Sequence, residues 1–141
     1  MNGGLQNIGN TCAINSLIQC IYSVDILRTI LLQQNINNSI SFELLDIFSK
    51  FQQGHSITPN GFVHKLINVF EGFFIPGEQF DIGELWILLA DKISEELNVP
   101  NKSQPANKIE EQVYRLNSNK SSDWQTAIQG VNISITKCNT C

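Results

Sequence analysis

The spacing of the apolar residues limits the fold of this chain most, because it follows a helical period through much of the sequence. Residues 81–97 show the period best, since one stripe of apolar side chains recurs every three or four positions: Ile82, Leu85, Trp86, Leu89, Ile93 and Leu97. Asp81 precedes this stripe and Glu84 follows three residues later, which is the pattern of a capping box. The spacing therefore predicts a helix over 81–97.

Two further helices are predicted near the start of the chain. Apolar residues at helical spacing cover 12–23, where Asn10 or Thr11 is the predicted N-cap. A second, shorter helix is predicted to begin at Asp25. Cys20 lies within the first of these helices, next to apolar neighbours, and is predicted to be a core residue.

Two more helices are predicted between these segments and residue 81. Ser41 is the predicted cap of one of them, which Gly54 ends. The other is predicted to follow Thr58 as its cap, with Pro59 at the first helical position.

The C-terminal part of the chain has a different pattern. Residues 98–108 read NVPNKSQPANK, which predicts a loop, and a weak helix is predicted over 109–116. Val131, Ile133 and Ile135 alternate with polar residues, which predicts a half-buried strand. The predicted fold class is therefore α+β and mostly α. A helical lobe spans 1–97, a loop with a weak helix spans 98–130, and a strand with a cysteine pair spans 131–141.

Length, charge and cysteine content exclude several classes of protein. The 141 residues suit one domain with its own core, and a net charge of −4 gives no basic face for nucleic acid. There is neither a secretory signal nor an apolar run long enough for a membrane span. We therefore expect an intracellular protein of the cytoplasm or nucleus, with reduced cysteines. The frequent Asn and Ile suggest an AT-rich genome, viral or protist, and a viral protein would act in the host cell cytoplasm.

Cys12 is the candidate nucleophile. It follows the polar stretch GLQNIGNT and stands at the predicted start of the first helix. Unpaired N–H groups at a helix N-terminus attract negative charge, and a thiol attacks as its thiolate. Gly9 permits a tight turn, whose N–H groups and the Asn7 amide are candidate donors to an oxyanion. From the spacing alone, a buried cysteine that merely begins a helix is the favoured alternative.

A resemblance to a known family adds to this interpretation. The stretch GLQNIGNTCAINSLIQCIY resembles the cysteine box of the ubiquitin-specific proteases, whose pattern is G-L-x-N-L-G-N-T-C-Y-M-N-S-x-L-Q. The residues that match in place are Gly4, Leu5, Asn7, Gly9, Asn10, Thr11, Cys12, Asn15, Ser16 and Gln19. Ala13 departs from the pattern, because an aromatic residue usually follows the cysteine.

A second block resembles the same family. GEQFDIGELWILLADKISEEL is similar to the family pattern Q-Q-D-A-x-E-F-L-x-x-L-L-D-x-L. The matching residues are Gln79, Asp81, Glu84, Leu89 and Asp91. The resemblance implies that Gln79, Asp81 and Glu84 lie near the channel for the arginine-bearing C-terminal tail of ubiquitin, since carboxylates pair with guanidinium groups. Helix capping alone also explains Asp81 and Glu84, and the two roles are compatible.

The resemblance implies a function and a fold. The chain is similar to the N-terminal, helical (thumb-like) lobe of a papain-like cysteine protease that hydrolyses the isopeptide or peptide bond at the C-terminal glycine of ubiquitin. Cys12 is then the nucleophile, Asn7 helps to hold the oxyanion, and the partners are ubiquitin and ubiquitinated proteins. Catalysis of this kind requires no cofactor.

The general base is the part of the site that the sequence lacks. His55 and His64 are the two histidines, and neither matches the histidine block of the family. We therefore expect the base to lie beyond residue 141. The alternatives are a truncated, inactive fragment that acts at most as a ubiquitin-binding module, and an unrelated helical adaptor.

Cys138 and Cys141 form a C-x-x-C pair after the predicted strand. The pair resembles the first knuckle of the zinc ribbon of the family, which implies half of a structural zinc site if a second C-x-x-C follows residue 141. An unused pair and a redox pair are the other interpretations, although a redox pair usually stands in a βαβ context that is absent here.

Overall fold

Helices form most of the described chain, and its strands are only two residues long. This computed structural model describes residues 3–34, 37–75, 78, 81–100, 105–116 and 120–130. The elements in chain order are β1 (Gly4–Leu5), α1 (Cys12–Ser23), α2 (Asp25–Leu32), α3 (Ile40–Gln52), β2 (Ser56–Ile57), α4 (Asn60–Val69), α5 (Ile82–Leu97), β3 (Val99–Pro100), α6 (Lys108–Leu116), β4 (Lys120–Ser121) and α7 (Asp123–Ile128). The predicted predominance of helix is confirmed.

One hydrophobic core joins α1 to α5. Helix α3 packs against α2 and α4, whereas α1 packs against α2 and α5. The side chains that are less than 2% exposed and fill this core are Ile18, Leu31, Ile40, Leu44, Phe48, Phe51, Phe62, Leu66, Leu85, Leu89, Ile93 and Trp124. Tyr22 lies at the edge of the core, where its ring meets Phe48 and Phe51 edge-on, each with ring centroids 5.1 Å apart.

Two pairs of short strands hydrogen-bond segments that lie apart in the sequence. Strand β1 pairs in parallel with β2, with Gly4 opposite Ser56 and Leu5 opposite Ile57. Strand β3 pairs antiparallel with β4. The sequence analysis predicted none of these strands, because a two-residue strand is too short to show an alternating pattern.

Helix α7, the last helix among the described residues, completes the core. It packs against α2 and α5, and its Trp124 is fully buried. The indole Nε1–H of Trp124 donates a hydrogen bond of 3.2 Å to the carbonyl oxygen of Ala90 in α5. Helix α6 confirms the helix predicted over 109–116, but α7 was not predicted. The strand predicted over 131–137 lies outside the described residues.

The helix starts were predicted with mixed success. The bounds of α1 and α5 and the start of α2 are confirmed, and Asp81 caps α5 by accepting a 3.0 Å hydrogen bond from the N–H of Glu84. The prediction for α3 is wrong by two residues, because Ser39 is its N-cap and Ser41 lies inside its first turn. The apolar stripe of α5 is buried at the centre of the helix, whereas Ile82 in the first turn of the helix is 43% exposed.

Two other local predictions are wrong, and a third is confirmed by position only. Helix α4 begins at Asn60 with Pro59 as its N-cap, and the Thr58 hydroxyl instead donates to the side-chain oxygen of Gln6. Thr11 is the N-cap of α1 by position, but its side chain makes no capping hydrogen bond. Cys20 is exposed, because it stands beside the buried face of α1 rather than on it.

Among the described helices, none alone is long and apolar enough to cross a membrane, although α1 and α2, which meet at 90°, reach that length and hydropathy as a pair.

Candidate active site

The loop between β1 and α1 places Cys12 at the first position of a helix. Cys12 is exposed and begins α1. Gly9 and Asn10 before it both have positive φ angles, of 103° and 50°. A Cβ atom at Gly9 would meet nothing within 4 Å, so its backbone conformation, and not a lack of space, accounts for a glycine there. We call residues 6–11 the cysteine loop.

The side chain of Asn7 organises the cysteine loop. Its Oδ1 atom accepts hydrogen bonds from the Gly9 N–H at 3.1 Å, the Thr11 N–H at 3.2 Å and the Thr11 hydroxyl at 3.0 Å. The Thr11 hydroxyl also accepts a hydrogen bond of 3.1 Å from the Ile8 N–H. The loop is therefore closed by side-chain contacts within itself.

Gln6 anchors the beginning of the cysteine loop. Its N–H donates to the Ile57 carbonyl oxygen at 2.8 Å, which extends the β1–β2 pairing by one hydrogen bond. Its carbonyl oxygen accepts a 3.2 Å hydrogen bond from the Asn15 Nδ2 atom of α1. The loop is thus tied to β2 on one side and to the helix that carries Cys12 on the other.

An apolar cavity of about 130 Å³ lies beside the cysteine loop. One wall is the loop itself from Ile8 to Thr11, and another is the α4 face that carries Val63, Leu66 and Ile67. Phe74 and Ile75, which follow α4, line the same cavity. Ile8 is 38% exposed, so this side of the loop offers apolar surface.

The two acidic candidates lie at the start of α5. Asp81 and Glu84 are both exposed, and Asp81 uses Oδ1 to cap the helix. The structural role that the sequence suggested for Asp81 is therefore present, and exposure leaves both carboxylates accessible to a ligand. Gln79 lies outside the described residues.

The comparisons with known proteins agree with the motifs. The family model described as ubiquitin carboxyl-terminal hydrolase matches residues 3–141. This chain belongs to the ubiquitin carboxyl-terminal hydrolase family. The match covers the cysteine loop, α1 and α5 together, so the blocks that carried the resemblance belong to one family domain.

Individual members of the ubiquitin carboxyl-terminal hydrolase family resemble this chain over about two thirds of its length. The chain is 30% identical over 111 residues to ubiquitin carboxyl-terminal hydrolase 7 of Saccharomyces cerevisiae, covering 67% of this chain and 10% of that protein. It is 32% identical to hydrolase 11 of the same yeast, covering 70% and 16%, and 33% identical to the human hydrolase 35, covering 66% and 9%. The chain thus spans only a small part of these relatives.

Two histidines lie within this family domain, and both are exposed. His55 follows the turn that ends α3, where its N–H donates to the Lys50 carbonyl oxygen at 3.1 Å. His64 lies in α4, where its Nδ1 is 3.2 Å from the Asn68 Nδ2. No described contact joins either imidazole to Cys12.

Cys138 and Cys141 lie outside the described residues, so the half zinc site stays a prediction from the sequence. Within the described ranges, no group of three or more His, Cys, Asp or Glu residues is arranged to hold a metal ion.

Sequence reasoning missed two residues that shape the site. Thr11 and Asn15 both match the cysteine box, but no role in the loop was assigned to either side chain. The structure gives Thr11 three hydrogen bonds within the cysteine loop and gives Asn15 the bond to Gln6. Their places in the family pattern were the available signal.

Proposed function

We propose that the protein containing this chain is a thiol-dependent deubiquitinase, in which Cys12 attacks the carbonyl carbon of the C-terminal glycine of ubiquitin. The observation that carries the proposal is an exposed thiol at the first position of α1, held directly after a loop that Asn7 closes. Membership of the ubiquitin carboxyl-terminal hydrolase family supports the choice of substrate.

The proposed reaction follows from the chemistry of a thiol. The Cys12 thiol gives its proton to a histidine acting as general base, and the sulfur bonds to the carbonyl carbon. The carbonyl oxygen becomes an oxyanion that accepts a hydrogen bond from the Asn7 amide. The carbon–nitrogen bond then breaks, and the leaving amine takes a proton from a histidine acting as general acid. Water hydrolyses the thioester and releases the ubiquitin carboxylate.

We place the histidine outside this chain. Family resemblance supports that placement, because neither His55 nor His64 lies in a matching block. The helices α1–α5 then correspond to the cysteine-bearing lobe of a papain-like domain, and the substrate tail lies between this lobe and the part that carries the histidine.

Asp81 and Glu84 are the proposed contacts for the arginines of the ubiquitin tail. Both carboxylates are exposed at the start of α5, and Asp81 is oriented by its own capping bond. A carboxylate fixed in this way loses little conformational entropy when it pairs with a guanidinium group.

The test compares two cysteines of the same helix in the full-length protein. Cys12 and Cys20 are both exposed on α1, so Cys20→Ala is a matched control for Cys12→Ala. We expect Cys12→Ala to abolish cleavage of ubiquitin that carries a fluorogenic C-terminal amide, and Cys20→Ala to keep kcat within about twofold, because a surface substitution away from a site costs little. A C-terminal electrophilic derivative of ubiquitin is expected to label the Cys20→Ala variant and not the Cys12→Ala variant.

The same variants decide between an enzyme and a binding module. Cleavage by the Cys12→Ala variant would exclude Cys12 as the nucleophile. A wild-type protein that binds labelled ubiquitin but neither cleaves the reporter nor reacts with the electrophile would be a ubiquitin-binding module instead.

A further inference from the structure

The hydrogen bonds of the cysteine loop determine which way the Asn7 carboxamide faces. Its oxygen is the only atom of that group that accepts, and the Gly9 N–H, the Thr11 N–H and the Thr11 hydroxyl all point to it. If the carboxamide were turned over, its NH2 group would face two backbone N–H donors without an acceptor between them. The oxygen must therefore face the loop, which leaves the NH2 group on the other branch of the planar amide.

The Thr11 hydroxyl is the side-chain donor that favours this orientation of the Asn7 carboxamide. Its hydroxyl accepts from the Ile8 N–H, so the hydroxyl proton is free to be donated to the Asn7 oxygen. The side chain of Thr11 has no role in capping α1, although Thr11 occupies the N-cap position. Thr11 is only 5% exposed, whereas Asn7 and Cys12 on either side of it are exposed.

We infer that Thr11 is a positioning residue for catalysis, which holds the Asn7 carboxamide so that its NH2 group is presented to the oxyanion formed at Cys12. This inference rests on the proposed function. The Thr11 hydroxyl itself touches no reacting atom, and it acts only through Asn7. A residue with a hydroxyl group is required rather than any small residue, because the hydroxyl must accept from Ile8 and donate to Asn7 at the same time.

The inference predicts a specific split between kinetic constants. Removing the hydroxyl takes away one of the three donors that hold the Asn7 oxygen. The carboxamide is then held less firmly, which weakens a contact made only in the transition state and leaves substrate binding intact. We expect Thr11→Ala to lower kcat about tenfold with KM within about twofold, since one neutral hydrogen bond is worth about that factor. Thr11→Ser keeps the hydroxyl and is expected to keep kcat within about twofold.

The decisive experiment is a double-mutant cycle of Asn7→Ala and Thr11→Ala in the full-length protein, with the fluorogenic ubiquitin amide as substrate. Asn7→Ala alone is expected to lower kcat about 100-fold or more, as does loss of one oxyanion donor in other acyl-transfer enzymes. Once Asn7 is alanine, Thr11→Ala is expected to have no further effect on kcat. Alkylation of Cys12 by iodoacetamide forms no oxyanion, so its rate is expected to be the same in Thr11→Ala and the wild type.

Three results would overturn the inference. Equal losses of kcat from Thr11→Ala in the wild-type and Asn7→Ala backgrounds would show that Thr11 acts independently of Asn7. If Thr11→Ala fails to fold, Thr11→Ser decides alone, since a loss of about tenfold in kcat with an unchanged unfolding temperature would show that the hydroxyl is not what matters. Cleavage by Cys12→Ala would overturn the proposed function as well. An inactive Cys12→Ala variant together with additive effects in the double-mutant cycle would overturn only the role of Thr11.

Thr29→Val, at an exposed site on α2, controls for threonine replacement and is expected to change neither kcat nor KM.

Discussion

The carboxylate of Glu96, near the end of α5, accepts hydrogen bonds from both the N–H and the hydroxyl of Ser41, at 2.9 and 2.6 Å. A further bond of 3.1 Å comes from the N–H of Ile40. One acidic side chain therefore satisfies the first turn of α3, and it does so from a helix more than fifty residues away in the sequence. Ser41 itself is fully buried.

Loss of the Glu96 carboxylate is expected to loosen the start of α3. We expect Glu96→Ala to lower the free energy of unfolding by about 3 kcal/mol or more, because three donors lose their acceptor and a hydrogen bond to a charged group is worth about 1.5–3 kcal/mol. The neighbouring Glu95 provides the control, since it is exposed and contacts only Lys92 among the described ion pairs. Glu95→Ala is expected to cost less than about 1 kcal/mol. Hydrogen–deuterium exchange at the first turn of α3 would distinguish the two variants, and equal protection in both would contradict the prediction.

Two adjacent glycines at the start of the chain are expected to differ sharply. A Cβ atom on Gly3 would lie 2.3 Å from the carbonyl oxygen of His55 and 2.7 Å from Cδ1 of Phe51. A Cβ atom on Gly4 would meet only the Ser56 Oγ, at 4.0 Å. We expect Gly3→Ala to destabilise the protein by about 1–3 kcal/mol, as overpacking does, and Gly4→Ala to be close to neutral. Thermal unfolding of both variants checks this, and similar unfolding temperatures would count against it.

Alanine substitutions at Gly9 and Gly72 distinguish the stability cost of backbone strain from a loss of catalysis. Both have positive φ angles, of 103° and 80°, and a Cβ atom added to either residue would meet nothing within 4 Å. Alanine at either site is expected to cost about 1–2 kcal/mol, because a left-handed conformation is unfavourable for a residue with a Cβ atom. Only Gly9 lies in the cysteine loop, so we expect only Gly9→Ala to lower kcat on the ubiquitin amide. An equal fall in kcat for Gly72→Ala would mean that strain alone reduces activity.

The Asp81→Asn substitution distinguishes the contribution of the Asp81 charge from that of its helix-capping hydrogen bond. Asparagine caps a helix about as well as aspartate, so α5 is expected to keep its stability. The loss of one exposed charge is expected to raise KM for ubiquitin by about two- to fivefold with kcat unchanged, because exposed ion pairs contribute up to about 1 kcal/mol. Reporter kinetics at low and high salt give the measurement, and the difference between the variant and the wild type should shrink at high salt. A KM that equals the wild-type value at low salt would remove Asp81 from the binding site.

Local chemistry explains which parts of the fold the sequence predicted. The bounds of α1 and α5 follow from one-sided apolar spacing, and for α5 from a cap whose acceptor lies three residues from its donor. The start of α3 was misplaced because Ser39 and Ser41 offer similar capping chemistry. The choice between them depends on Glu96, which holds Ser41 in a contact between helices.

The sequence named candidate residues for the site but not the contacts between them. The sequence indicated Cys12 and Asn7 because their spacing fits a family motif. It did not indicate that Thr11 would donate to Asn7 or that Gln6 would pair with Ile57, because these contacts depend on backbone angles and on a strand from a distant segment. Cys20 was predicted to lie in the core because its neighbours along the chain are apolar. Adjacent residues of a helix point in different directions, however, and the thiol of Cys20 lies at the surface.

The burial of Trp124 determines when the core can close during synthesis of the protein. Helices α1–α5 leave the ribosome before α7, and until then the surface of α2 and α5 that α7 covers is open to solvent. Exposed apolar surface on a nascent chain attracts chaperones and other nascent chains. The helix that carries Cys12 is therefore made early, but the core that supports it closes only after Trp124 has left the ribosome.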